Sequence, residues 1–341
     1  MLFIDKYISE KSLTFYEQIK DKKTVYLDLK YWILLRDAGN GKNPIMDLML
    51  EKVMSLHQTG KCVFPVSELV LIEIMKQSDE RTRTATLKLA EKLSDGIAII
   101  NETQRVKNEF WRWWSKLNDK ESVKDDPRRL VWAAFPLVTG YFFYSQKAEE
   151  LPAYVKRSFL DFVCSIPLSS IPANPDIEFE PFDGKDNTVA LNAYKELYKD
   201  QNKTFKEMFL SELWGCLDCF KDDLNAVLKE KAAEDPDNTD IYALCRKIYD
   251  AFKDGKVGDD LPTFNIFPTL FGVTRWNKDR RYKDGNDTLD IKHASCALPY
   301  CDYFFTEKEL HTMICQYKLD RQFQCTVASK PKDILEILQA I

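Results

Sequence analysis

The sequence predicts an α/β fold in which one parallel sheet draws its strands from both ends of the chain. Three observations predict it. Short apolar runs with the character of buried strands lie at 24–28, 62–66 and 97–100, and again at 303–306 and 323–328. Segments of helical spacing separate them at both ends. Between about 101 and 253 the spacing is almost wholly helical. The economical arrangement is a split α/β domain, residues 1–100 and 275–341, interrupted by an all-helical insertion at 101–274.

Taken in order, residues 1–22 place Phe3, Ile4, Tyr7, Ile8, Phe15, Tyr16 and Ile19 at amphipathic spacing, a surface helix or two. Thr24-Val25-Tyr26-Leu27-Asp28 is a buried strand ending in an acid. Residues 44–58 are helical, and Cys62-Val63-Phe64-Pro65-Val66 is the second strand, with Ser67 as N-cap of the next helix. A helix over 80–93 leads to the strand Ile97-Ala98-Ile99-Ile100. The helical stretch has aromatic landmarks at Phe110, Trp111, Trp113, Trp114, Trp132, Phe135, Phe142, Phe143, Tyr154, Phe159 and Phe162. Breaks are expected at Pro167, Pro172, Pro175 and Pro181, and at Gly255, Gly258, Pro262 and Pro268. Residues 203–232 form the longest helical pattern. Then come a helix at 288–298, a strand at 303–306, a helix at 307–317, a last strand at 323–328 and a last helix at 331–340.

Composition narrows the function. The 341 residues, 45% hydrophobic and 30% charged, can bury a sizeable core. Forty-nine basic against 54 acidic side chains, net −5, exclude a globally basic nucleic-acid binder but leave room for a local basic patch. Only 11 glycines argue against phosphate-cradling loops. Gly39-Asn40-Gly41-Lys42 lacks both the first glycine of a P-loop and the Ser/Thr after the lysine. The nine cysteines are scattered through apolar segments, and no leader or run of ~18 apolar residues is present. The expectation is a cytoplasmic protein with reduced thiols and no membrane partner. Cys216 and Cys219 form one CxxC pair inside a helical pattern; without a second pair they are read as helix-face packing.

Parallel sheets bind ligands beyond the carboxyl ends of their strands, so acids there carry information. Asp28 ends the first strand. Glu73 follows the second, on an apolar helix face. Asp287 and Asp290 enter the helix before the fourth strand, Asp302 starts that strand, and Glu307 follows it. Converging carboxylates repel unless cations neutralise them, and oxygen donors suit Mg²⁺ or Mn²⁺. Plainer roles exist for each: helix caps for Asp28, Asp287 and Asp290, a loop residue for Asp302. Glu68, one turn before Glu73, is a solvated competitor. Glu73 itself would be costly to bury unpaired.

Together Val25-Tyr26-Leu27-Asp28 with Trp32-Ile33, Pro65-Val66-Ser67 with Glu73, the block Asn286-Asp287-Thr288-Leu289-Asp290-Ile291-Lys292-His293, and Leu298-Pro299-Tyr300-Cys301-Asp302-Tyr303-Phe304-Phe305-Thr306-Glu307 resemble the PIN-domain family of metal-dependent nucleases. The resemblance covers roughly 20–100 and 284–341. It implies a three-layer α/β/α fold and a two-metal endonuclease, most often acting on RNA. Carried over, Asp28, Glu73, Asp290 and Asp302 would be the catalytic acidic quartet, with Asp287 and Glu307 as further metal ligands. The chain departs from the pattern at Lys30, where many members carry Asn or Ser, and at Lys308, where many carry Asp.

Directly before the acidic block stands Arg275-Trp276-Asn277-Lys278-Asp279-Arg280-Arg281-Tyr282-Lys283. Arg275, Lys278, Arg280, Arg281 and Lys283 would bind phosphates and Trp276 would stack on an unpaired base, unless it is tucked into the core. Lys30 and His293 complete the expected substrate-binding set. Arg112 and Lys116, among three tryptophans, are a weaker candidate. No Ser-His-Asp order or catalytic-cysteine context stands out. The expected function is therefore a Mg²⁺- or Mn²⁺-dependent ribonuclease, in the setting of a toxin or defence effector, with the helical insertion offered to a protein partner or inhibitor. A catalytically silent scaffold or RNA-binding module is the alternative, and a flap-type DNA nuclease the third.

Overall fold

The chain enters through one helix, α1 (Phe3–Ile19), which buries Tyr7 and Ile19. It is seen in a computed structural model that describes residues 3–39, 41–117, 126–138, 148, 150–173, 185–232, 240–257, 259–283 and 286–341. Asn40, Phe142, Phe143, Pro175, Pro181 and Gly258 lie outside the described residues.

Strand β1 (Lys23–Leu27) is buried along all but its first residue, as its apolar run requires. Helix α2 (Leu29–Arg36) follows after the single residue Asp28. Helix α3 (Pro44–Gln58) begins with proline at its first position, and Asn43 accepts a hydrogen bond from Met46 N. Strand β2 (Cys62–Val63) pairs with β1. The next residues turn to the other neighbour, β3 (Ile97–Ile99), through Val66 N to Ile97 O and Ile99 N to Val66 O. Ser67 caps α4 (Glu68–Met75), and α5 (Glu80–Ser94) leads into β3.

Helix α6 (Glu102–Leu117) is followed by β4 (Trp132–Ala134), which pairs antiparallel with β3. This strand corrects the expectation that the insertion at 101–274 is all helical. Val131-Trp132-Ala133-Ala134 is a short continuous apolar run between Pro127 and Pro136, and periodicity cannot tell such a run from a piece of helix. Helices α7 (Ala153–Cys164), α8 (Lys185–Leu197), α9 (Phe205–Cys219), α10 (Lys221–Ala232) and α11 (Ile241–Lys253) follow. The long pattern at 203–232 turns at Phe220, whose ring packs on Phe264 and Phe267. Pro268 does not end a helix but lies inside α12 (Thr263–Trp276). Helix α13 (Asn286–Ala297), β5 (Tyr303–Phe305), α14 (Lys308–Gln316), α15 (Leu319–Gln322), β6 (Thr326–Ala328) and α16 (Pro331–Ala340) complete the chain.

The fold is α/β, with a four-stranded parallel sheet in the order β2-β1-β5-β6. Its register sets Val25 beside Tyr303 and Leu27 beside Phe305. The two ends of the sequence therefore meet at the sheet centre, and α3 packs on α16 behind them. One contiguous apolar core joins Val25, Leu27, Phe304 and Phe305 of the sheet to Phe110, Leu213, Leu244 and Phe264 of the intervening helices. No described helix is long and apolar enough to cross a membrane.

Candidate metal centre

Asp28 sits between β1 and α2 at the N-cap position, yet its side chain makes no cap bond. It turns to the sheet instead, where Oδ2 accepts a hydrogen bond from Thr306 Oγ1 at 2.9 Å. Its Oδ1 has no hydrogen bond among the described residues, although Asp28 is buried. Burial pushes its carboxyl upward and the charges of Glu73 and Glu307 add to this, while His293 and the Thr306 bond oppose it.

Helix α4 brings Glu73 to the same place. Glu73 Oε2 lies 3.0 Å from His293 Nε2, and the fully buried His293 ring hangs from α13. On its other side, Nδ1 is 2.7 Å from the Tyr26 hydroxyl, which is 2.6 Å from Ser67 Oγ. One donor atom each from Asp28, Glu73 and His293 lie within 4.8 Å of one another. Burial alone would pull the His293 imidazolium down. The charge and hydrogen bond of Glu73, then Asp28 and Asp290, outweigh it and raise the pKa to about 9.

Asp290 lies one turn before His293 on α13. Its carboxylate has no hydrogen bond or ion pair among the described residues. Its pKa is raised to about 7, first by burial and then by Asp28, with Glu73 and Glu307 adding and His293 opposing. Glu307 follows β5, is exposed, and like Asp28 occupies an N-cap position without making the cap bond. Four carboxylates and one imidazole thus share one electrostatic field at the carboxyl ends of β1 and β5. Helix caps would have spent Asp28 and Glu307 locally; neither is spent so.

The structure does not bring Asp302 to this place. It precedes β5 at the opposite end of the sheet, where Oδ2 accepts from Thr24 N at 2.8 Å and from Thr24 Oγ1 at 2.9 Å. Asp287 is withdrawn too. Its Oδ1 pairs with Arg280 Nη2 at 2.8 Å and its Oδ2 accepts from Lys283 N at 2.5 Å, so both oxygens are engaged. Glu68 is not solvated: it is turned inward, 3.7 Å from the fully buried Arg105.

Two of the basic residues are also spent inside. Arg275 is buried, ion-paired with Glu212 and stacked over Tyr194. Arg280 pairs with Asp287 and Glu309. Lys278, Arg281 and Lys283 are exposed, Lys278 only 3.8 Å from Asp200 and Lys283 3.4 Å from Glu309. Trp276 is 40% exposed, its ring edge-on to Phe205, so it is not tucked into the core. Lys30 is half-buried with its ammonium 5.9 Å from the Tyr31 ring centroid. Lys116 pairs with Asp260.

Tyr26, Ser67 and Thr306 support the cluster and were not singled out as site residues by sequence reasoning. A tyrosine in a buried apolar strand was the available signal, because its hydroxyl needs a partner there. Comparison with protein-family models, with curated proteins and with solved structures finds no match.

Proposed function

We propose that the chain is a divalent-metal-dependent phosphodiester hydrolase of the three-layer PIN-like type, an endonuclease acting on RNA with Mg²⁺ or Mn²⁺. The observation that carries this reading is the buried cluster of Asp28, Glu73 and His293, whose donor atoms lie within 4.8 Å of one another, with the Asp290 carboxylate, unpartnered among the described residues, in the same field. Such a group of acids holding one imidazole carries excess negative charge that a divalent cation would offset. The donor set fits: carboxylate oxygens at a sheet edge, one of them without a hydrogen bond among the described residues.

Asp28, Glu73 and Asp290 would hold the ion, with Glu307 at the solvent side. The chemistry supplied at such a centre is activation of water and stabilisation of the leaving oxygen. Thr306 fixes which oxygen of Asp28 is left free. Lys278, Arg281 and Lys283 remain available for phosphates, and exposed Trp276 for stacking on an unpaired base.

The test is a panel of single-stranded RNA, structured RNA and branched DNA incubated with the protein and Mn²⁺. Cleavage of RNA that disappears in Asp28→Asn and Asp290→Asn, with the circular dichroism of both unchanged, supports the reading. Cleavage of branched DNA alone replaces it with a DNA nuclease. No cleavage, together with no Mn²⁺-dependent rise in Tm, sinks it in favour of a silent scaffold.

A further inference from the structure

We infer that His293 is itself a metal ligand through Nε2, and that the centre therefore favours first-row transition ions, with Mn²⁺ as the probe, over Mg²⁺. The inference rests on the metal reading above and narrows it.

Three observations carry it. First, spacing: neighbouring ligands around an octahedral ion at ~2.1 Å lie ~3.0 Å apart, and opposite ones ~4.2 Å. Glu73 Oε2 and His293 Nε2 are 3.0 Å apart, and the donors of Asp28, Glu73 and His293 fall within 4.8 Å of one another. Glu73 and His293 fit neighbouring positions on one ion as they stand, and Asp28 reaches it with a side-chain adjustment of under ~1 Å.

Second, the far side of the ring is held as ligand histidines are held. A metal-bound histidine donates its other N–H to a fixed acceptor, which sets the tautomer and the ring plane. Tyr26 Oη stands 2.7 Å from Nδ1 and can accept that proton while donating its own to Ser67 Oγ at 2.6 Å. Tyr26 is locked in turn by the edge of Phe304, with ring centroids 5.6 Å apart. All of this is buried, so the ring cannot swing away to solvent.

Third, with Nδ1–H given to Tyr26, an ion bound at Nε2 displaces the proton that otherwise joins this nitrogen to Glu73 Oε2 at 3.0 Å, so both donors already face one point. A proton holds this pair in the metal-free chain, and a metal ion can take the proton's place there. Asp28, buried as a residue, offers one carboxylate oxygen within 4.8 Å of both donors, and its Oδ1 accepts no hydrogen bond among the described residues. Imidazole suits transition ions such as Zn²⁺, whereas Mg²⁺ takes oxygen ligands and keeps its waters; Mn²⁺, a first-row transition ion also at home among carboxylates, is the paramagnetic probe of the same position.

Pulsed EPR of the Mn²⁺-loaded full chain reads the ligand directly. A nitrogen hyperfine coupling on bound Mn²⁺ that vanishes in His293→Gln supports the inference. In the same chain Tyr26→Phe should weaken Mn²⁺ binding ~10-fold or more by thermal shift, as loss of an outer partner does, and leave Mg²⁺ binding less affected. Bound Mn²⁺ without nitrogen coupling in the wild type overturns the inference and leaves the metal reading intact. Failure of Mn²⁺ to bind the wild type at all overturns both. The deciding spectrum is taken on the wild-type protein, so its outcome does not depend on whether any variant folds.

Discussion

Asp302 clamps Thr24. Its Oδ2 accepts from the Thr24 amide at 2.8 Å and from the Thr24 hydroxyl at 2.9 Å, and Asp302 N donates back to Thr24 O at 3.0 Å. The clamp fixes where β5 enters the sheet beside β1. Strand β5 then runs to Thr306, four residues on, which at ~3.3 Å per residue is ~13 Å away. There Thr306 binds Asp28. The two aspartates therefore work at opposite ends of the same strand pair, one holding register and one facing the candidate centre.

Asp302→Ala should accordingly cost ~1–3 kcal/mol of stability, because it strands the Thr24 amide and hydroxyl without their acceptor. The nearby Lys23 is half in solvent at 3.3 Å and adds little. The Mn²⁺-dependent rise in Tm should survive the substitution. Urea melts with and without Mn²⁺ measure both quantities. Loss of the Mn²⁺ response with the fold intact would return Asp302 to the metal centre.

The metal-free protein should lose stability as pH rises. Asp290 moves from 3.8 in the unfolded chain to about 7 in the fold, so the native state holds the proton longer. Its contribution falls between pH ~4 and ~7 and stays low above that. His293 moves from 6.5 to about 9, so its contribution is complete below ~6.5 and is lost as pH climbs through ~9. Both slopes have the same sign. Tm measured in EDTA from pH 5 to 9 should decline. Asp290→Asn should flatten the acid half of that decline and Mn²⁺ should oppose it. A Tm that rises across the range would contradict the placement of Asp290 among acids.

Arg105 predicts a stability effect away from the centre. It is fully buried, donates from Nη1 to Ile100 O at 2.7 Å, and lies 3.7 Å from Glu68. Glu102, on the same helix, takes Lys292 of α13 at 3.0 Å. The buried atoms Glu68 Oε2 and Glu102 Oε2 have no hydrogen-bond partner among the described residues; Arg105 is the cation beside Glu68, and Glu102 has Lys292 as well. Arg105→Leu should cost ~3–5 kcal/mol in chemical denaturation. Adding Glu68→Gln should recover part of it, since the uncompensated charge is then removed. If the double variant is no better than the single, the cost is packing and not charge.

What the sequence revealed of the site follows from what apolar patterning records. Asp28, Glu73 and Asp290 were legible because strand ends and helix starts flank them, and Ser67 marks the helix that carries Glu73. Asp302 misled because β5 is three residues long with an acid near each end, and hydropathy does not say which of them faces a ligand. Strand β4 was hidden because Trp132 and Phe135 fit a helical rhythm by chance. The spent arginines were hidden for a different reason. A basic run reads as exposed until its partners are known, and the partner of Arg275 is Glu212, on another helix.

That difference among the basic residues gives the last prediction. Exposed Lys278 and Arg281 have little to hold them: Lys278 is 3.8 Å from an equally exposed Asp200, and Arg281 has no ion pair among the described residues. Such side chains can neutralise phosphates, releasing counterions, and each contact adds ~0.7 to the salt dependence of single-strand binding. Lys278→Ala and Arg281→Ala should each weaken binding to any single-stranded RNA and reduce the slope of log K against log salt by about that amount. Arg275→Ala should behave otherwise. It empties a buried ion pair and a cation–π contact, so it should lower Tm while leaving the salt slope of the folded protein unchanged. Fluorescence anisotropy across a salt series, run below the lowest Tm, separates the two outcomes. Equal slopes in all three variants and the wild type would remove the segment 275–283 from the substrate path.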